Sequence, residues 1–229
     1  QVKAAERILK NHLLLALQPD ERAAMYEYIA HFYVFTGRYK YALEHLDIAN
    51  TLYREADFAH GVAWTHFNRC LLFRELGRAD QAERELADAR LYSQSRSSAL
   101  LQTSFFIVDD FIVALQKGDR ERAMTILQRK SRLISQSDRL FLESKYELAR
   151  GQTAAAIDKL ASLLQHDDRP ILGLMIEAKY DLANLLLQTG DYDRAADYCS
   201  RALYTKRVLM FAQTPIFYGK SIALLAEIR

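Results

Sequence analysis

"TGRYKYALEHLDIA" occupies residues 36–49, and its design returns as "LGRADQAERELADA" at 76–89 and "TGDYDRAADYCSRA" at 189–202. Each phrase has a glycine, an alanine five residues on, a bulky residue four after that, and a small residue three further. The glycines of the series are Gly37, Gly77, Gly118, Gly151 and Gly190, separated by 40, 41, 33 and 39 residues. Ala42, Ala82, Ala123, Ala156 and Ala195 follow them, then Leu46, Leu86, Leu127, Leu160 and Cys199, then Ala49, Ala89, Lys130, Leu163 and Ala202. Steps of four and three place these side chains on one helical face, so every phrase is a turn followed by an amphipathic helix. A period of this size marks a repeat architecture.

A second helix precedes each glycine. "AAMYEYIAHFYVF" (23–35), "VAWTHFNRCLLFREL" (62–76), "SFFIVDDFIVALQ" (104–116) and "MIEAKYDLANLLLQ" (175–188) are aromatic and aliphatic at helical spacing and contain no proline. Helix, short turn, helix is therefore the unit. The first helix ends at the glycine, where a left-handed backbone carries no side-chain penalty, and the alanine lets the paired helices cross closely. Pro19, Pro170 and Pro215 each stand where a first helix should begin, with Asp168 as a candidate cap for the second. A first-turn proline gives up an amide that has no partner within the helix.

The bulk properties narrow the function. The chain has 229 residues, half of them hydrophobic and 26% charged, with a formal charge of +2. That composition is globular, and basic residues alternate with acidic ones, which points away from direct nucleic-acid binding. The longest uncharged stretches fall short of the roughly 20 apolar residues that span a bilayer. Cys70 and Cys199 stand far apart with no metal-ligand spacing around them. The cytoplasm is the expected compartment, or the periplasm if the parent protein carries a signal or anchor elsewhere.

Catalytic signatures are missing from the sequence: there is no phosphate loop, nucleophile elbow or HExxH helix. The histidines at 12, 31, 45, 60, 66 and 166 include no pair three or four apart, so a metal site would need tertiary contact. No enzyme activity, cofactor or metal is expected. Asp109 and Asp110 form an acidic pair inside an apolar helix. Adjacent helical residues point about 100° apart, so the pair cannot readily share a proton. The expectation is that one faces solvent or a groove and the other meets a cation from a neighbouring repeat.

The Gly-to-Ala phrases resemble the tetratricopeptide repeat, in its long form of about 40 residues found in bacterial regulatory and signalling proteins. The resemblance implies an all-α fold, an α-solenoid of antiparallel helix pairs wound into a right-handed superhelix of about 12 helices. It implies one domain over 1–229, with pairs at about 20–56, 57–95, 97–135, 137–167 and 169–208, and partial repeats at 1–18 and 214–229. The chain would then be a segment of a larger protein. Lys130 and Leu163, at positions where the family has a small residue, imply looser packing in the third and fourth pairs.

In this family the first helices line the concave side. The resemblance therefore places a binding groove at Glu27, Tyr28 and His31, at Trp64, Phe67, Asn68 and Leu71, and at Phe105, Val108, Asp109 and Ile112. Lys145, Glu177, Tyr180, Asp181 and Asn184 would continue it. Family members that grip a terminal carboxylate use lysines, an arginine and asparagines here, whereas Glu27, Asp109 and Asp181 are acidic. The implied partner is a protein or peptide segment with apolar anchors and a basic residue. The competing expectations are a small-molecule-sensing domain like those of maltose-type activators, and a homodimer formed through the terminal helices.

Overall fold

The computed structural model describes residues 7–8, 11, 18–94, 103–165, 172–203 and 213–228, and every secondary-structure element among them is helical. The chain divides into two compact units, residues 1–102 and 103–229. The first contains α1 (Pro19–Phe35), α2 (Tyr39–Glu55), α3 (Ala59–Glu75) and α4 (Ala79–Gln94). The second contains α5 (Thr103–Gln116), α6 (Arg120–Lys130), a 3-10 turn (Ser131–Leu133), α7 (Gln136–Ala149), α8 (Thr153–Leu163), α9 (Leu172–Gln188), α10 (Tyr192–Leu203) and α11 (Gln213–Ile228). Most of the partial repeat expected at 1–18, and the starts expected near 97 and at Pro170, lie outside the described residues. Pro19 opens α1 and Pro215 lies in the first turn of α11. No described helix is long and apolar enough to cross a membrane.

Within each pair the reversal is made the same way. The Gly37 amide donates to the Val34 carbonyl (3.0 Å) and the Arg38 amide to the Tyr33 carbonyl (2.8 Å), the two bonds that close a helix through a left-handed residue. The same two bonds recur at Gly77, Gly118, Gly151 and Gly190. All five glycines have positive φ, and a Cβ added at any of them meets nothing within 4 Å. Conformation, not crowding, requires glycine there. The turn from α2 to α3 has the same two bonds with Asp57 (φ 50°) in the glycine's place. Aspartate is one of the few residues that tolerate that region. In "GD" the aspartate also starts the next helix: Asp119 and Asp191 accept from the amides of Arg122 (2.9 Å) and Arg194 (3.3 Å).

The five alanines that follow are fully buried, as are Leu46 and Leu160. The second helices bury only a stripe: Ala42, Leu46, Ala49 and Tyr53 in α2, and Ala82, Leu86 and Ala89 in α4. First helices bury far more of their circumference. In α3, Gly61 through Ala63, Thr65 through Asn68 and Cys70 through Arg74 are all buried, which is why that sequence shows no polar face. In the second unit each first helix packs on the next, α5 on α7, α7 on α9 and α9 on α11. A core runs through them from Ile107, Phe111 and Phe141 to Leu160, Leu174 and Leu182.

The short 33-residue spacing between Gly118 and Gly151 shortens both helices that it contains. α6 has 11 residues and α7 has 14, against 17 in α2 and α3. Lys130 and Leu163 are the last residues of α6 and α8. The small residue is absent there because the helix ends before a close crossing has to continue.

Gly61 is needed for a different reason. It sits in α3 where an added Cβ would stand 2.5 Å from the Tyr53 ring. That ring is fixed by a 2.8 Å hydrogen bond from its hydroxyl to Glu27 and by Phe58 at 5.5 Å. Gly61→Ala therefore destabilises the first unit by about 1–3 kcal/mol despite alanine's better helix propensity. Gly77→Ala, with open space around it, costs only about 1 kcal/mol through its positive φ. Thermal unfolding of the two variants checks the order, and a Gly61→Ala variant as stable as the parent contradicts the packing argument.

Candidate functional site

α1 carries Glu27 and His31 one turn apart, so both side chains leave the same face. Tyr53 of α2 donates its hydroxyl to Glu27 Oε2 at 2.8 Å, and the amide of Asn68 on α3 lies beside both residues. Glu27 Oε1 and both ring nitrogens of His31 are shielded from water, and the Asn68 side chain is the polar group that faces them. Burial raises Glu27 to about 7 against the hydrogen bonding of Tyr53 and Asn68. Burial likewise lowers His31 to about 4, so the imidazole is neutral near pH 7.

The rest of the expected first-unit surface separates into two kinds. Tyr28 is 53% exposed and Trp64 is partly exposed, with its ring 5.8 Å from His60 and 6.4 Å from Phe67. Phe67, Asn68 and Leu71 are buried. Their placement on an open groove is corrected: α3 is enclosed on most sides, and these residues belong to its packing.

A second polar cluster in this unit has no counterpart in the sequence reading. His66 Nδ1 lies 2.7 Å from Glu85 Oε2 and 4.0 Å from Asp88, while His66 Nε2 lies 3.2 Å from an Arg54 nitrogen. Tyr92 stacks on the His66 ring and bonds Arg54, and Arg69 joins Glu85 (2.8 Å) to Asp47. Burial raises Glu85, but the hydrogen bonds and charges of His66 and Arg69 outweigh it and hold the carboxyl below its usual range. His66, Glu85 and Asp88 are close enough to hold a metal ion. The protonation pattern does not fit one: a guanidinium only donates, so Nε2 accepts and Nδ1 keeps the proton given to Glu85. A metal on Nδ1 would force a proton onto Nε2, against the Arg54 donor.

In the second unit Asp109 and Asp110 are both buried, 3% and 6% exposed, so neither faces solvent or a groove. Asp110 pairs with Arg122 (2.5 Å) and Lys130 (3.8 Å) of α6, the other helix of its own pair rather than a neighbouring repeat. Val108 and Ile112 are core, and Phe105 is partly exposed. Lys145 of α7 reaches two carboxylates of α9, Glu177 (2.8 Å) and Asp181 (2.6 Å). Glu177 is buried, while Tyr180, Asp181 and Asn184 keep partial exposure. Burial disfavours charge on Lys145, yet Asp181 and Glu177 more than offset it and hold the ammonium above its usual range. Burial raises Asp181, with Lys145 and Lys220 opposing. Lys220 of α11 lies over the Tyr180 and Phe217 rings at 5.4 and 5.1 Å. A cleft of about 540 Å³ opens elsewhere in this unit, lined by Ile134, Ser135, Gln136, Arg139, Leu140 and Glu143.

Residues 147–207 match the family model of the tetratricopeptide repeat. No curated protein matches the sequence. Among solved structures, the chain is similar to one in the crystal structure of the APC/C hetero-tetramer Cut9-Hcn1, at 15% identity and a TM-score of 0.53 over 100% of its length. It spans 39% of that chain. It is also similar to a tetratricopeptide repeat protein from Parabacteroides merdae, at 13% identity and a TM-score of 0.44, covering 94% of this chain and 91% of that one. The first likeness shows the fold: helix pairs stacked as in tetratricopeptide solenoids.

Two expected outcomes follow from the clusters. Glu27 binds its proton more tightly folded than unfolded, so its contribution to stability falls as pH rises from about 4.5 to about 7. His31 resists protonation when folded, so its contribution rises from about pH 4 to 6.5. The two slopes oppose each other in the parent. The Tm of Glu27→Gln, relative to the parent, climbs across that window, and that of His31→Asn drops; curves parallel to the parent's refute the burial of both groups. Separately, Lys145→Met strands two carboxylates and destabilises the second unit by about 3 kcal/mol. Adding Glu177→Gln and Asp181→Asn to that variant recovers most of the loss in urea unfolding, if the pairing is what the lysine supplies.

Proposed function

We propose that the chain, whose fold is similar to tetratricopeptide solenoids and whose residues 147–207 match that repeat's family model, is a non-catalytic scaffold for a protein or peptide segment. It binds through its first helices and serves as the recognition module of a larger bacterial regulatory or signalling protein. One observation carries this reading. α7, α9 and α11, the first helices of successive pairs, bring Lys145, Glu177, Asp181, Tyr180 and Lys220 into one partly exposed cluster of charge and aromatic surface. The second helices show solvated ion pairs instead, such as Arg194 with Asp191 and Arg201 with Asp197, which contribute little and select no partner.

Aromatic side chains with a polar neighbour are what a peptide-binding surface uses as anchors. Tyr28, Trp64 and Tyr180 fit that description. The cleft at 134–143 is large enough for a small molecule. Its charged residues, however, already pair: Arg139 with Glu143 at 2.8 Å, and Glu143 with Lys159.

Capture from a bacterial lysate tests the reading, with Tyr28→Ala/Trp64→Ala and Tyr180→Ala as variants and Arg84→Ala on α4 as control. The expected result is a protein retained by the parent and the control and depleted by at least one aromatic variant whose helical circular dichroism is unchanged. Equal capture by all four chains overturns the proposal.

A further inference from the structure

We draw no further inference here: the strongest candidate, the exposed apolar face that Ile222, Ala223 and Ala226 form on α11, is a stripe of mostly small residues, and nothing in the structure shows what covers it.

Discussion

After each first helix the backbone passes through one residue of positive φ, and the rest of the pair is arranged by that step. Two hydrogen bonds, from that residue and the next, tie the turn to the last carbonyls of the helix. They leave no freedom in the direction of the returning chain. The alanine five residues later therefore arrives against the first helix at the same point each time, and its small side chain sets the distance of approach. Asp57 shows that the backbone conformation is the requirement and that glycine is its usual carrier. The Tyr53 ring against Gly61 is what this regularity leads to in the first unit, where a second glycine is used for space.

Stacking such pairs divides the helices unequally. A second helix needs one stripe of apolar residues, and its other positions are free to carry charge. A first helix has a neighbour on several sides, so a polar side chain there has to be provided for inside the protein. α3 has Thr65, His66, Asn68 and Arg74 buried, and α5 has both Asp109 and Asp110. Candidate partner-binding residues are therefore those few first-helix positions that keep some exposure. Family-based placement of a groove named whole faces, and burial removes Phe67, Leu71 and Asp109 from them.

The sequence made the pairing legible because glycine and alanine at fixed spacing have one physical use each. Turn geometry at all five glycines and the burial of all five alanines were readable from that spacing. The stripe at 42, 46 and 49 extends by one more helical step to Tyr53, so its burial was also within reach. The clusters were not. Lys145, Glu177 and Asp181 lie 32 and 36 positions apart in sequence, and nothing in local periodicity says which cation meets which acid. Asp110 went to Arg122 and Lys130 of its own pair because the turn at Gly118 folds α6 directly back over it. The network of Arg54, His66, Glu85 and Tyr92 joins three helices through side chains that look like ordinary surface residues when read one helix at a time.

Buried charge is handled in three ways in this chain. Around His66 the imidazole joins the cation Arg54 to the acid Glu85, and Arg69 pairs with the same acid, so the network ties α2, α3 and α4 together. Around Lys145 one ammonium serves two acids, so the local charge is balanced only with the help of Lys220 on the next first helix; the cluster couples α7, α9 and α11 electrostatically. Around Glu27 the partners are neutral, the Tyr53 hydroxyl and the Asn68 amide. Burial instead moves the carboxyl up and the imidazole down, so that near pH 7 the imidazole is neutral and the carboxyl is about half protonated. A shift in protonation of that kind relieves the cost of a buried charge without a counter-ion, which the Lys145 and His66 clusters meet by pairing instead.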